Sequence, residues 1–277
     1  MSFYVRALKL MEDKSKRKAI ELIESGSEIA GSAVGGAVGF FAGGPAGAAG
    51  AAALGSTLGK AISDFANRHL SRKQEVRVGA CAAIAINSIK EMENSGLKLR
   101  DDGFFEESND RQSDAEEIFD GVLLHSKNEH EEKKIKHLGI FYAKIAYSPG
   151  VSKSEANHLL NLSNSLTYRK MCILSILMKI NSGENLGLLD RNYRGREEPI
   201  PYETVSLLQE IVELHSQGLI AEIMSDKGYT INSGWSDITP NSQGLRPLGF
   251  RLATLLGVDQ IPRSDIDPIV EQLSQDY

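Results

Sequence analysis

"GSAVGGAVGFFAGGPAGAAGAAALG", residues 31–55, is the stretch that decides how this chain is organised. It consists of glycine and alanine with a few large apolar side chains, inside a run of 31 uncharged residues between Glu28 and Lys60. Each helical glycine costs about 1 kcal/mol relative to alanine in water. An ordinary soluble helix therefore gains nothing from this composition, and another kind of packing must explain it.

The small residues of this stretch recur at every fourth position. All nine positions of that phase are small: Ser27, Gly31, Gly35, Gly39, Gly43, Gly47, Ala51, Gly55 and Gly59. On an α-helix this spacing forms a shallow groove, in which a second helix packs backbone to backbone, as small-xxx-small helices do in membranes. The sequence predicts a glycine zipper whose seven glycines carry membrane or oligomer packing.

The middle of the uncharged run predicts a hairpin rather than one span. Gly43-Gly44-Pro45 lies there, and proline removes a backbone donor and disfavours helix before it. The two arms, 29–43 and 46–60, would each be about 22 Å long, shorter than a hydrocarbon core of about 30 Å. We expect insertion to depend on several copies packing together.

Basic residues flank the run on both sides. Residues 1–77 hold 11 Lys or Arg against 7 Asp or Glu, whereas residues 78–277 hold 20 against 30. By the positive-inside rule, both ends of a hairpin would stay cytoplasmic, near anionic lipid. The predicted lipid-contacting residues are Lys14, Lys16, Arg17, Lys18, Arg68 and Arg72. The alternative is a soluble helical hairpin whose small residues pack against the rest of the protein.

The remaining sequence reads as helices. Apolar spacing predicts a helix over 72–95 closed by Gly96, and Ser113-Asp114-Ala115-Glu116 is a capping box that opens one long helix ending by Ser148-Pro149. A second capping box at Ser152 and a cap at Thr167 open two more helices. A further helix over 202–217 has Gly218 at its C-terminal cap.

The C-terminal pattern resembles a winged helix. Two short strands, 219–224 and 228–231, follow the helices, and a last helix is predicted over 247–256. The helix at 202–217 carries three glutamates and no Lys or Arg, so phosphate would repel it. Loop arginines that would be able to touch phosphate are Arg191, Arg194 and Arg196. We favour protein contact over nucleic-acid binding for this module.

No residue pattern supports catalysis or metal binding. The chain has no P-loop, dinucleotide fingerprint or nucleophile elbow, and Asp101-Asp102 is typical of a turn or cap. The spacing of His125, His130 and His137 does not place the first pair on one helix face, and Glu129 with Lys133 is typical of a solvated helix surface. We predict no enzyme activity, no cofactor and no metal.

The two cysteines, Cys81 and Cys172, each lie in an apolar helical pattern. This placement argues against a disulfide framework or a zinc site and indicates a reducing compartment. The predicted fold is therefore mainly α, with a basic N-terminal helix (1–25), a glycine-zipper hairpin (26–60), a helical body (61–148) and a winged-helix-like α+β domain (149–277).

Two stretches carry a resemblance to other proteins. They are "EVRVGACAAIAINSIKEMENSGLKLRDDGFF" and "AEEIFDGVLLHSKNEHEEKKIKHLGIFYAKIAYSPGVSKSEANHLLNLSNSLTYRKM". Over residues 25–180 the chain resembles uncharacterised bacterial proteins that have a glycine zipper before a helical body. The resemblance implies no activity and no catalytic residue. Its association with phage defence is an analogy.

These observations lead to two expectations of function. The first is a bacterial membrane-permeabilising effector that forms homo-oligomers, contacts anionic membrane and binds a protein partner through its C-terminal domain. It would be cytoplasmic and conditionally at the inner membrane, with nucleic acid not expected as a partner. The second is a soluble adaptor or assembly protein with a winged-helix-like module that binds protein or DNA.

Overall fold

The computed structural model describes residues 70–107, 111–224, 228–230 and 234–277, together with Ala61. These residues are mainly helical, as predicted, with eight α-helices and one small sheet among them. The chain divides into two compact units, residues 1–164 and 165–277. The predicted boundary at 148/149 falls one helix earlier than this division.

The first unit contains four described helices. They are α1 (Arg72–Asn94), α2 (Asp114–Asn128), α3 (Glu132–Ala146) and α4 (Lys153–Ser165). Helix α1 packs mainly against α3 and also against α2. The rings of Phe119 and Tyr142, which lie between α2 and α3, have centroids 4.5 Å apart, and both side chains are fully buried. Apolar burial of this kind is the main force that stabilises such a bundle.

Local signals set most ends of these helices. The Ser113 hydroxyl accepts the backbone N–H of Glu116 at 3.1 Å, and the Ser152 hydroxyl accepts that of Glu155 at 3.2 Å. Both bonds satisfy donors that a helix start leaves free. Helix α1 ends before Gly96, whose φ of 82° is a left-handed value that suits glycine. These three predicted ends are confirmed.

The prediction of one long helix from 113 to 148 is wrong. Residues 129–131 separate α2 from α3, and we call this bend the elbow. The backbone N–H of Arg100 donates to Ala146 at 3.1 Å, while Phe104 accepts the N–H of Ala115 at 2.9 Å. Because Arg100 and Phe104 are four residues apart, the two helix ends lie within about 25 Å of each other. A single helix would separate them by about 47 Å.

The second unit contains four helices and a small antiparallel sheet. Its helices are α5 (Tyr168–Asn181), α6 (Tyr202–Ser216), α7 (Pro247–Leu256) and α8 (Arg263–Ser274). The strands are β1 (Ile220–Met224), β2 (Gly228–Thr230) and β3 (Gln243–Leu245), in the order β2-β1-β3. Strand β1 pairs Ile223 with Tyr229 on one side and Ala221 with Gly244 on the other. Short 3₁₀ turns span Trp235–Asp237, Pro240–Ser242 and Val258–Gln260.

The predicted elements of this unit are confirmed up to α7. The Thr167 hydroxyl accepts the N–H of Lys170 at 3.1 Å, and Gly218 ends α6 with a φ of 70°. The predicted hairpin is present within one residue at its described ends. However, 247–256 is not the last helix, because α8 follows it and buries Ile266, Ile269 and Leu273 on one face. Strand β3 was not predicted.

Backbone hydrogen bonds hold the long connection between α5 and α6 against other parts of the second unit. The N–H of Leu189 donates to Leu273 at 3.1 Å, and the N–H of Tyr193 donates to Ser236 at 3.0 Å. The Tyr193 side chain is buried, and burial raises the pKa of its hydroxyl to about 12. These anchors hold the predicted arginine loop in one place.

Candidate functional site

The predicted packing and lipid-contacting residues lie almost entirely outside the described residues. This applies to the whole glycine set and to the basic residues before α1. Arg72 is the first residue of α1. Of the helices that the structure describes, α1 is the first to follow the predicted zipper in the sequence.

Helix α3 approaches helix α1 closely at Gly139, where no side chain of α3 separates the two helices. A Cβ built on Gly139 would lie 2.8 Å from the backbone oxygen of Cys81 and 2.8 Å from the Cγ2 of Ile84. Real Cβ atoms essentially never come so close to other atoms. Glycine is thus required at this crossing, where two helix backbones come together through small residues.

The Cys81 side chain at this crossing is sealed inside the first unit. Its exposed fraction is zero, and burial raises the pKa of its thiol to about 12, although a hydrogen bond with Ser126 opposes that rise. The Ser126 hydroxyl also donates to the carbonyl of Leu123 at 2.8 Å. A thiol of this kind is unreactive, which leaves it a packing role.

The elbow contains a buried ion pair. The Glu129 and Lys134 side chains are only 5% and 3% exposed, and Oε2 of Glu129 lies 2.5 Å from Nζ of Lys134. Oε1 of Glu129 accepts the backbone N–H groups of His130 at 2.8 Å and Glu131 at 2.9 Å. In all three contacts the acceptor is the charged carboxylate of Glu129. Such hydrogen bonds are stronger than those between neutral groups.

The surroundings of Glu129 hold its carboxylate in the charged form. Burial acts to raise the pKa of Glu129, but the hydrogen bond from Lys134 and the N–H groups of Glu131 and His130 bring it below its ordinary value. The predicted solvated pairing of Glu129 with Lys133 is wrong in this respect. Glu129 lies in the interior and pairs with Lys134 instead.

The three histidines considered as metal ligands lie in different environments. His137 is buried and His130 is exposed, while Nδ1 of His125 is buried without a hydrogen-bond partner. Burial and the nearby charge of Lys134 lower the pKa of His125. A neutral imidazole therefore fits this position at physiological pH.

One group of metal-ligand atoms is brought together within the described residues. Ligand atoms of Glu129, His130 and Glu131 lie within 4.8 Å of one another. However, both oxygens of Glu129 already serve the ion pair with Lys134 and the two N–H groups of the elbow. The arrangement is therefore accounted for by its role in holding the bend.

The carboxylate pair Asp101-Asp102 lies in the loop before α2, and Asp102 makes contacts that stabilise this loop. The Arg100 guanidinium lies 2.5 Å from Oδ2 of Asp102, and its hydrogen bond lowers the pKa of that carboxyl. The same guanidinium lies 4.2 Å from the centroid of the Phe104 ring, a cation–π distance. The loop is held together by these contacts, in agreement with its interpretation as a turn.

The loop arginines of the second unit pair with carboxylates. Arg191 and Arg196 both bind Asp276, and Arg194 binds Asp237. Arg196 also donates to the backbone oxygen of Asn192 at 3.0 Å. Phosphate would have to compete with these partners for the guanidinium groups.

Two of the three acidic side chains of α6, Glu210 and Glu213, lie against cations from the start of α5. Glu210 accepts from Nε of Arg169 at 2.7 Å and from the Thr167 hydroxyl at 3.0 Å. Glu213 lies 2.5 Å from Nζ of Lys170. The negative charge of α6 therefore stabilises its packing against α5, a use that the sequence did not indicate.

Among the described helices, none combines the length and the apolar character needed to cross a bilayer.

Comparison of the chain with protein-family models, with curated proteins and with solved structures gives no match. The sequence and the described geometry thus carry the functional argument by themselves.

Proposed function

We propose that this chain is a membrane-associating glycine-zipper protein, which oligomerises and permeabilises the bacterial inner membrane. The observation that carries the proposal is the phase of nine small residues, eight of which lie in a run of 31 residues without charge. Small residues at this spacing let helices pack closely where lipid removes the ordinary hydrophobic driving force between them. The hairpin would rest in the cytoplasmic protein and insert when copies assemble.

The described body supports this proposal through its own packing. At Gly139 the chain already uses a glycine to bring two helix backbones together, with Cys81 and Ile84 on the opposing helix. The predicted zipper has glycine, the same residue type, at seven of its nine small positions. The predicted zipper would thus use the same kind of close packing at glycine as the body.

The charge distribution also supports the proposal. Residues 78–277 carry 20 Lys or Arg against 30 Asp or Glu, so anionic lipid would repel them. The basic flanks of the uncharged run would remain as the part of the chain that lipid attracts. A protein divided in this way would approach a membrane with its zipper region first.

Permeabilisation would arrest growth or kill the cell that carries the protein. By analogy with phage defence, such an outcome would limit the spread of an infection. In this role the second unit would bind the partner that releases the hairpin. No catalytic step is part of the proposal.

The second candidate is a soluble adaptor, and the second unit favours it. The order that resembles a winged helix is three helices (α4, α5 and α6), the β1–β2 hairpin and a further helix, although nearly all of α4 belongs to the first unit. Helix α6 has no Lys or Arg, and the nearby loop arginines are paired with Asp237 and Asp276. A module with these charges suits protein contact better than DNA contact.

The test compares two glycine substitutions of equal bulk. Gly39→Leu fills a position of the predicted stripe, whereas Gly36→Leu adds the same side chain outside it. We expect Gly39→Leu to abolish dye leakage from liposomes of anionic phospholipid and Gly36→Leu to retain it. Circular dichroism should be the same for both variants, since each adds one leucine to the same predicted arm of the hairpin.

Two results would contradict the proposal. Leakage that survives Gly39→Leu would show that the stripe does not carry the packing. A full-length protein that never floats with anionic liposomes, at any concentration that gives oligomers, would favour the soluble adaptor instead.

A further inference from the structure

The segment after helix α8, residues 275–277, lies on the loop between α5 and α6. The carboxylate of Asp276 binds both Arg191 and Arg196. A guanidinium nitrogen of Arg196 also donates to the backbone oxygen of Tyr277 at 3.3 Å. Two arginines thus converge on one carboxylate and on the backbone beside it, which is how arginine clusters recognise acidic peptides.

Arg196 is held in place by the second unit itself. Its side chain is only 8% exposed, and it donates to the backbone oxygen of Asn192 at 3.0 Å. Its guanidinium carbon lies 5.6 Å from the centroid of the Tyr193 ring. A guanidinium fixed in this way is already oriented for a planar carboxylate.

The Tyr277 side chain lies beside the start of α6. Its hydroxyl is 3.0 Å from Oγ1 of Thr204, a fully buried residue, and it donates to Gln275 at 2.7 Å. The site therefore has an anionic position, which Asp276 fills, and an aromatic position next to it, which Tyr277 fills.

One buried hydroxyl at this site is left without a partner. The Tyr193 residue is 2% exposed, and its hydroxyl makes no hydrogen bond with any described residue. Burial raises the pKa of this hydroxyl to about 12, while Tyr277 adds to the rise and Arg196 opposes it, so both lie near it. A buried polar group without a partner costs free energy. A ligand that satisfied the hydroxyl would therefore have an advantage over residues 275–277.

The contacts of this segment are open to exchange. The side chains of Arg191 and Asp276 are 62% and 45% exposed, and exposed ion pairs contribute little to stability. Helix α8 ends at Ser274, so the segment adds no turn to it. The loop has its own anchor, because the N–H of Tyr193 donates to Ser236 at 3.0 Å. The arginines should thus keep their places when the segment leaves.

The charge around the site favours a short acidic peptide over a nucleic acid. Glu197 and Glu198 directly follow Arg196, and α6 adds three glutamates without Lys or Arg. These carboxylates would repel the closely spaced phosphates of a nucleic acid. A peptide brings one carboxylate to the arginines and an aromatic ring beside it, as residues 276 and 277 do.

We propose that the loop between α5 and α6, with the start of α6, is a docking site for an acidic peptide of a partner protein, in which Asp or Glu precedes an aromatic residue. The site consists of Arg191, Tyr193, Arg196 and Thr204. Residues 275–277 occupy it in cis, and the partner's peptide displaces them. This proposal specifies the partner binding of the proposed function, on which it rests, but its test needs no membrane.

The experiment measures peptide binding by fluorescence anisotropy. The probe is the fluorescein-labelled peptide GSGDYGS, and the control peptide GSGNYGS lacks only its charge. Each is added to the full-length chain and to a full-length variant with Asp276→Ala and Tyr277→Ala, which we call the emptied variant. Circular dichroism and Trp235 fluorescence should be the same for both proteins. If the double substitution altered them, Asp276→Ala alone would take its place.

The emptied variant should bind the aspartate peptide more tightly than the unaltered chain does. Only Gln275 separates Asp276 from α8, so the segment competes at an effective concentration on the order of millimolar. We expect a gain in affinity of at least about tenfold when this competition is removed. The asparagine peptide should bind the emptied variant at least about tenfold more weakly than the aspartate peptide.

Two arginine substitutions in the emptied variant locate the binding. Arg191→Met removes an exposed cation of the site and should weaken binding of the aspartate peptide about threefold. Arg194→Met is the matched control, because Arg194 lies in the same loop but pairs with Asp237. It should leave the affinity unchanged.

Three outcomes would overturn the proposal. Equal binding of the two peptides to a folded emptied variant would show that the arginines do not recognise the carboxylate. Equal affinity of the emptied and unaltered chains would show that residues 275–277 do not fill the site. Equal weakening by Arg191→Met and Arg194→Met would indicate a general effect of charge. Each of these results leaves liposome leakage unaffected, so failure of the docking site is distinguishable from failure of the proposed membrane activity.

Discussion

One ion pair from each unit shows how differently burial treats charged side chains. In the first unit Glu129 and Lys134 are sealed in the interior, about 5% and 3% exposed. In the second unit Arg191 and its partner Asp276 are 62% and 45% exposed. Solvent screens the exposed pair, whereas the buried pair has given up its hydration and depends on its protein partners. The comparison teaches that the same kind of ion pair fixes a bend in the backbone where it is buried and contributes little where it is exposed.

The largest expected effect comes from breaking the buried pair. Lys134→Met leaves the Glu129 carboxylate in the interior without its cation, and such a change typically costs about 3–5 kcal/mol in the free energy of unfolding. Hydrogen exchange of peptides from α1, α2 and α3 should show this loss. Trp235, the single tryptophan, lies in the second unit. Its fluorescence should therefore report unfolding of that unit at an unchanged denaturant concentration.

The control for that substitution removes the second charge as well. Glu129→Gln together with Lys134→Met keeps an acceptor for the elbow N–H groups and leaves no unpaired charge. We expect it to recover most of the lost stability. If the single and double variants were equally destabilised, the cost would come from lost packing of the lysine chain rather than from the charge.

A medium effect is expected at the crossing of α1 and α3. Gly139→Ala places a methyl group 2.8 Å from the Cys81 carbonyl oxygen, so the two helices must move apart, at a cost of about 1–3 kcal/mol. Hydrogen exchange in α1 measures the change. Gly150→Ala is the matched control, since its Cβ would meet open space. Equal protection in both variants would contradict the close crossing.

The smallest effect is expected at the exposed pair of the second unit. Arg191→Met removes one cation from Asp276, which keeps Arg196 as a partner. Exposed pairs contribute about 0–1 kcal/mol, so the unfolding midpoint seen by Trp235 fluorescence should hardly move. A loss as large as that of Lys134→Met would show that the two pairs do not differ in the way described.

Predictions from the sequence succeeded where a helix end depends on nearby residues. Ser113, Ser152 and Thr167 act within three residues of the N–H groups that they accept. Gly96 and Gly218 adopt left-handed φ values that few other residues tolerate. Such signals are visible in a single sequence because the physical cause and its effect lie in the same turn of helix.

Predictions failed where the cause is distant in the chain. The elbow at 129–131 depends on a connection that begins near Arg100 and on burial of Lys134, and a run of charged residues gives no sign of either. Strand β3 has three residues, too few for a period of two to be recognised. The predicted zipper itself lies outside the described residues and stays a prediction.

The two cysteines allow the opening of each unit to be measured by chemical modification. Cys81 lies in the first unit and Cys172 in the second, and each is buried. Alkylation of either thiol requires its own unit to open, and the resulting masses differ by peptide. The alkylation rates of the two thiols therefore measure the opening of each unit separately, and no label has to be introduced.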